Sequence, residues 1–298
     1  MRCGAGAAGV SALAALRVWP VTPRDALPRS LWDAAAIAAA VGGTASADFR
    51  VSGVEIDSRD VRPGDLFFAM KGEAMDGHLF VDKAFAAGAA AAVVSRPIDW
   101  PHILVDDPNR ALEMLAAASR SRSEAVRIGV TGSVGKTGVK EAIFAALDRS
   151  SRGAAHRSVR SYNNHVGVPL SLARMPARSK FGIFEMGMNH AGEIADLTRF
   201  VQPNVAVVTA IAPAHIENLG SEEAIADAKA EIFGGLVKGG TAVIPADSPH
   251  FDRLAAAAQA CGAKVLSFGR ADHADLRLLD AIPSANGGSL VTAAFRDA

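Results

Sequence analysis

Cysteine is nearly absent: Cys3 and Cys261 are the only two in 298 residues. Two thiols build neither a disulfide framework nor a structural zinc site, and a reducing cytoplasm is the economical compartment. No sign of charge is in excess, since 31 Lys and Arg face 31 Asp and Glu. No global field therefore draws the chain to nucleic acid or anionic lipid, and any anion site must be local. Long apolar runs are missing too. The longest, Ala84 to Val94, is broken by Gly88 and falls far short of the ~20 residues a membrane helix needs, so no membrane insertion is expected. The first 29 residues resemble a signal peptide only superficially. Their apolar part is mostly Ala and Gly, Arg17 interrupts it, and Pro20, Pro23 and Pro28 follow; a disordered extension or an early start codon is the expectation. What remains is ample for a core: half of the residues are apolar and 21% are charged, over a length that suits two domains.

Leu31 to Val41 reads as a short helix capped by Ser30 and closed by Gly42-Gly43. The strand-like pieces VSGVEIDS and DLFFAM follow, with Pro63-Gly64-Asp65 turning between them. A helix at Val81–Ala87, strands at Ala91–Ser95 and Ile103–Val105, and a helix at Asn109–Arg120 complete a small α/β unit. The polar stretch SRSRSEAVR marks the boundary, which gives an extension over 1–29, a first domain over 30–122 and a second over 123–298. The second has a longer rhythm. Strands are predicted at Arg127–Val130, Gly182–Glu185, Val205–Thr209, Ala242–Ile244 and Lys264–Phe268, with helices at Gly138–Leu147, Glu193–Val201, Ser221–Leu236 and Phe251–Ala260. Near-continuous apolar strands alternating with amphipathic helices imply a parallel sheet covered on both faces. Beyond Phe268 the pattern turns strand-rich, in LRLLDAI and SLVTAAF. The fold class is α/β, a small N-terminal α/β domain followed by a P-loop-type parallel-sheet domain.

The strongest chemical signal is IGVTGSVGKTGVKEAIFAAL. A buried strand runs into Gly132-Ser133-Val134-Gly135-Lys136-Thr137, where a helix begins. Glycines let backbone N–H groups turn onto phosphate oxygens, and the helix N-terminus adds positive potential. Lys136 is placed to reach the β- and γ-phosphates of ATP, and the Thr137 hydroxyl to hold Mg²⁺. The full pattern has Gly where this chain has Val130. Glu185 ends an apolar strand, where a carboxylate projects into the ligand crevice of such a sheet and either binds Mg²⁺ or is simply solvated. Taken singly, His215 reads as a loop or core histidine. Lys229, between Asp227 and Glu231, reads as a helix-surface lysine paired with Glu222, Glu223 or Asp227. Asn163 and Asn164 are either amides for a polar substrate or turn chemistry. The polar connections Ile56–Arg59 and Lys71–His78 are either ligand loops at strand ends or plain hairpin turns.

In order along the chain, EIDSRDVRPGDLFFAMKGEAMDGH, VTGSVGKTGVKE, YNNHVGVPLSL, FEMGMNHAGEIADL, AHIENLGS and DAKAEIFGGL resemble the Mur ligases. The NNHVGVP and MGMNHAGEI segments point to the branch that adds D-alanyl-D-alanine to UDP-N-acetylmuramoyl-tripeptide. The resemblance implies a cytoplasmic, monomeric, ATP- and Mg²⁺-dependent amide ligase of peptidoglycan precursor synthesis, working through an acyl phosphate. It gives Lys229 the place of a carbamylated lysine, and it puts Glu185 and His215 with Thr137 and Lys229 at the metal. Lys136, Lys229 and His215 become the catalytic group. Ser58, Arg59, Lys71, Gly72, Met75, Asp76 and Gly77 match the segments that hold the uridine nucleotide, and Asn163, Asn164 and Asn189 those facing the muramoyl-peptide. Pro245 and Ser248 stand where relatives commonly carry asparagines for adenine. A shortened chain that lacks the closing third domain, with little ligation on its own, is the expectation at the C-terminal end. The alternatives are a non-catalytic fragment that binds nucleotide or UDP-sugar, and a sibling ligase such as a folylpolyglutamate synthase-like protein.

Overall fold

The computed structural model describes residues 30–72, 75–160, 162–214, 216–285 and 288–296. The N-terminal extension and His215 lie outside them. The first part contains β1 (Trp32–Asp33), α1 (Ala34–Val41), β2 (Thr44–Ala45), β3 (Arg50–Val51), β4 (Gly53–Glu55), β5 (Asp65–Phe68), α2 (Val81–Ala86), β6 (Ala91–Val94), β7 (His102–Leu104) and α3 (Pro108–Ser121). Strands β2-β7-β6-β5-β4 form one sheet, parallel except for β2 against β7. All four residues of β5 are buried because both faces are covered. Leu66 and Phe68 pack with Ile37, Leu112 and Leu115 from α1 and α3, and Phe67 packs with Val81 and Ala84 of α2.

Two expectations change here. The first helix starts at Ala34, and its cap is Asp33, whose carboxylate accepts the Ala36 N–H at 2.8 Å. Trp32, which reads as helical by apolarity, instead pairs with Val51 and buries its ring beneath the Arg122 guanidinium. In addition, β4 and β5 are parallel. The connection carrying Ile56–Arg59 is therefore a crossover at the strand ends, not a hairpin turn.

The second part contains β8 (Val126–Thr131), α4 (Lys136–Ser150), β9 (Ala155–Arg157), α5 (Gly167–Ala173), β10 (Phe181–Glu185), α6 (Glu193–Val201), β11 (Val205–Val208), α7 (Ile216–Leu219), α8 (Glu222–Ala230), β12 (Thr241–Pro245), α9 (Phe251–Ala260), β13 (Lys264–Gly269), β14 (Leu276–Pro283) and β15 (Ser289–Phe295). The sheet order is β15-β14-β13-β12-β11-β8-β10-β9, parallel apart from the β14–β15 hairpin. Helix α4 covers one face through Val139, Ile143 and Phe144, packed on Ile128, Val130 and Ile183. On the other face α5, α6, α8 and α9 meet Phe184, Val208 and Ile244. The predicted helix to Leu236 is shorter than expected: α8 stops at Ala230 and tightens into a 3₁₀ turn over Glu231–Gly235. Thr198 fills the space beside Gly235 and donates its hydroxyl to Ile232 O. Among the described residues, no helix is long and apolar enough to cross a membrane.

Helix α5 belongs to both cores. Its Val168 and Leu172 join the cluster of the large sheet, whereas Leu170 and Ala173 join that of the small one.

Candidate functional site

Strand β8 is where chain order reverses: β9 and β10 lie to one side of it, and β11, β12 and β13 to the other. In open parallel sheets the crevice at the carboxyl end of such a strand is where ligands bind. Register puts Glu185 beside Val130, and Val208 beside Thr131, so three strand ends open onto the loop at Gly132–Gly135. The loop is backbone-built. Gly132 has φ 149° and Gly135 φ 81°. A Cβ at Gly132 would collide with the Thr209 hydroxyl, which donates to Val134 O at 2.6 Å. Ser133 Oγ accepts from Ala212 N and donates to Ala212 O, fastening the loop to the strand-end segment of β11. Val130, at the position where the full pattern has Gly, is a buried strand residue that faces α4.

Lys136 and Thr137 open α4. The Lys136 ammonium folds back onto the loop, donating to Gly132 O at 2.8 Å. Its pKa lies below the ordinary lysine value because it is half-buried, while the Glu185 carboxylate pulls in the opposite direction. Thr137 Oγ1 donates to Glu185 Oε2 at 2.9 Å, and Asn163 Nδ2 donates to Glu185 Oε1 at 2.9 Å. Glu185 is thus buried and bonded on both oxygens, not a solvated strand end.

Lys140, one turn beyond Lys136, was not singled out by the sequence. It is 0% exposed; its ammonium donates to Arg160 O at 2.7 Å and lies 3.6 Å from Glu185 Oε2. Glu141 is 3.4 Å from it on the other side.

Lys229 is also buried, at 2% exposure, so its reading as a helix-surface lysine does not hold. Its supposed partners are engaged elsewhere. Asp227 pairs with Arg253, Glu222 with His250, and the Glu231 carboxylate accepts from Gly192 N and Ala195 N. Glu223 sits exposed in the first turn of α8, which Ser221 caps. Burial, with the nearby Lys136 charge adding to it, brings the Lys229 pKa down to about 8. Among the described residues, no three of His, Cys, Asp or Glu gather into a metal-binding group.

The segments predicted to hold the uridine nucleotide line a separate cavity of about 810 Å³. Ser58, Arg59, Lys71, Gly72, Met75 and Gly77 all line it, together with Lys83, Asn109 and His165, which the motifs did not mark. Asn109 clips the Lys71 backbone by accepting from its N–H and donating to its carbonyl.

Three of the predicted contact residues are bonded within the chain. Asp76 does not line the cavity; it accepts from His78 N, His78 Nδ1 and Arg96, and these bonds hold its carboxyl at about 2. Asn164 Oδ1 accepts from Gly167 N at 2.8 Å, holding the entry to α5. Asn189 serves α6 through its backbone, donating to Glu193 Oε2 at 2.7 Å. Asn163 points to Glu185, as above. Pro245 closes β12 against Phe268, and the Ser248 hydroxyl accepts from His250 N.

A phosphate-type loop at the switch strand of a parallel sheet, beside a second, smaller α/β sheet with its own cavity, defines a two-sheet nucleotide-binding protein. The chain belongs to the Mur ligase family. Residues 130–297 match the Mur ligase middle domain, and residues 50–120 the catalytic domain of the Mur ligase family. The UDP-N-acetylmuramoyl-tripeptide–D-alanyl-D-alanine ligase of Bacillus subtilis is 40% identical over 242 residues, which is 80% of this chain and 51% of that protein. A crystal structure of MurF from Acinetobacter baumannii superposes with a TM-score of 0.75 at 30% identity, over 90% of this chain and 61% of that one. The MurF ligase of Thermotoga maritima in complex with ADP gives 0.66 at 30% identity, over 81% and 55%. The chain spans about half the length of the curated relatives it matches.

Proposed function

We propose that this chain supplies the sugar-nucleotide- and ATP-binding parts of a cytoplasmic, monomeric amide ligase that joins D-alanyl-D-alanine to UDP-N-acetylmuramoyl-tripeptide. The observation that carries the reading is the convergence of the Gly132–Thr137 loop, Glu185 and the half-buried Lys136 at one end of the large sheet. The names of the relatives, and the ADP held by the Thermotoga enzyme, support it.

In this reading the loop N–H groups and Lys136 hold the ATP phosphates. The terminal carboxylate of the tripeptide attacks the γ-phosphorus, and ADP leaves. The amine of the dipeptide then attacks the acyl carbon, and inorganic phosphate departs. No side chain acts as nucleophile; the protein positions the reactants and neutralises charge. Lys136 exchanges its bonds to the loop carbonyls for phosphate oxygens.

Thr137 and Glu185 are oxygen donors of the type a hard cation takes, and their 2.9 Å separation fits both to one ion, with His215 assigned beside them by family position. Mg²⁺ bound there would screen the β- and γ-phosphate charges. Lys229 is proposed to be carbamylated. A pKa near 8 leaves more neutral amine at physiological pH than an ordinary lysine has, and the modification converts a buried cation into an anionic oxygen donor.

Titration calorimetry with Mg·ATP tests the assignment. Lys136→Ala is expected to weaken binding about tenfold or more, the scale of a lost charge-assisted contact. Unchanged affinity would sink the proposal.

A further inference from the structure

Two cavities of similar size flank Arg59, and they differ in charge balance. In the one of about 850 Å³, Arg174 is tied to Glu55 and Arg160 to Asp60. These two arginines are spent on structure, and Arg62 shares that lining with the carboxylates Glu55, Asp60 and Asp65. In the other, of about 810 Å³, Arg59, Lys71 and Lys83 face one carboxylate among the described lining residues, Asp57. Asp57 is already bound by Arg59 through both oxygens, and that hydrogen bonding brings its carboxyl down to about 2, with a smaller contribution from the Lys83 charge. Neither Lys71 nor Lys83 has a carboxylate at ion-pair distance among the described residues. The same lining includes the apolar Ile56, Phe67, Met70 and Phe80 and the buried Ser58.

We infer that Lys83 is a specificity-determining residue of this cavity, acting with Lys71 to bind the diphosphate of a uridine sugar-nucleotide. The inference rests on the function proposed above and deepens it. A diphosphate diester carries two negative charges, and the cavity offers two lysines that have no carboxylate partner among the described residues. Lysine suits the task as a flexible point charge that follows a phosphate oxygen. The apolar lining takes the faces of the base and sugar, and the ammonium groups take the anion. Sequence motifs missed Lys83 because it sits on α2, outside the polar loops, at a position any solvated helix would fill with lysine.

The test compares UDP with uridine by calorimetry on the unchanged chain and on Lys83→Gln. This exposed substitution leaves the fold intact, which a thermal melt verifies. UDP should bind the variant about tenfold more weakly, with uridine within about twofold and Mg·ATP unaffected. Its UDP affinity should also fall less steeply with salt, and Lys83→Arg should restore most of the loss. A variant that keeps the full UDP-to-uridine ratio would overturn the role of Lys83 while leaving the proposed function standing. If the unchanged chain binds Mg·ATP but neither UDP nor uridine, the sugar-nucleotide reading itself fails, and this inference with it.

Discussion

Lys140 and Lys229 show what a single residue hides from its own sequence. Both occupy helices whose neighbours are charged, and a lysine in such company reads as solvated. Burial comes with neighbours far along the chain: Arg160 and Glu185 for Lys140, and Lys136 near Lys229. Lys136 and Thr137 were legible because their role is local, fixed by the glycines before them and the helix they begin. The consequence for Lys140 is measurable. Removing one member of a buried ion pair leaves the other uncompensated, which costs about 3–5 kcal/mol. Lys140→Met is therefore expected to lower unfolding free energy by about that much in urea melts, and by much less in a Glu185→Gln background. A loss below about 1 kcal/mol would mean that Thr137 and Asn163 suffice to hold the carboxylate.

At the scale of elements, strong periodicity carried the reading. The helices Glu193–Val201 and Phe251–Ala260 have their predicted bounds, because an amphipathic stripe between apolar strands leaves little choice. Elements that tertiary pairing decides were less legible. Trp32 joins a two-residue ladder with β3, which no local propensity reveals, and this moves the cap of α1 from Ser30 to Asp33. Asp33→Ala should then cost about 1 kcal/mol, the ordinary price of a lost N-cap. Ser30→Ala, whose hydroxyl only donates to Trp32 O, should cost a few tenths at most. Equal losses from the two substitutions, measured by chemical denaturation, would return the cap to Ser30. The crossover between β4 and β5 has a similar origin. Turn residues such as Pro63 and Gly64 mark where the chain bends, and they do not reveal whether the next strand runs parallel or antiparallel.

At the scale of the whole molecule, residues 158–174 hold the two sheets together. Arg160 reaches Asp60, Arg174 donates to Val54 O and pairs with Glu55, and Trp32 Nε1 donates to Ala173 O at 3.0 Å. Helix α5 lies between, with side chains in both cores. Two sheets joined only by a linker would melt separately; sheets that share a buried helix should unfold together. Calorimetry is expected to show one transition with matching calorimetric and van't Hoff enthalpies. Leu170→Ala, which opens a cavity worth about 2–5 kcal/mol, should shift it as a unit. Two resolved peaks, only one of them moved by the substitution, would contradict the shared core.

The doubly buried α5 has a kinetic meaning as well. Under the proposed function, a ligand in the cavity lined by Ser58 and another on the Gly132–Thr137 loop would not have to find each other by diffusion, because the helix fixes the distance and angle between the two seats. Their encounter becomes an intramolecular event, with an effective concentration set by how stiffly Val168, Leu170, Leu172 and Ala173 are packed. The rigidity of one seven-residue helix thereby enters the rate at which two bound molecules can meet.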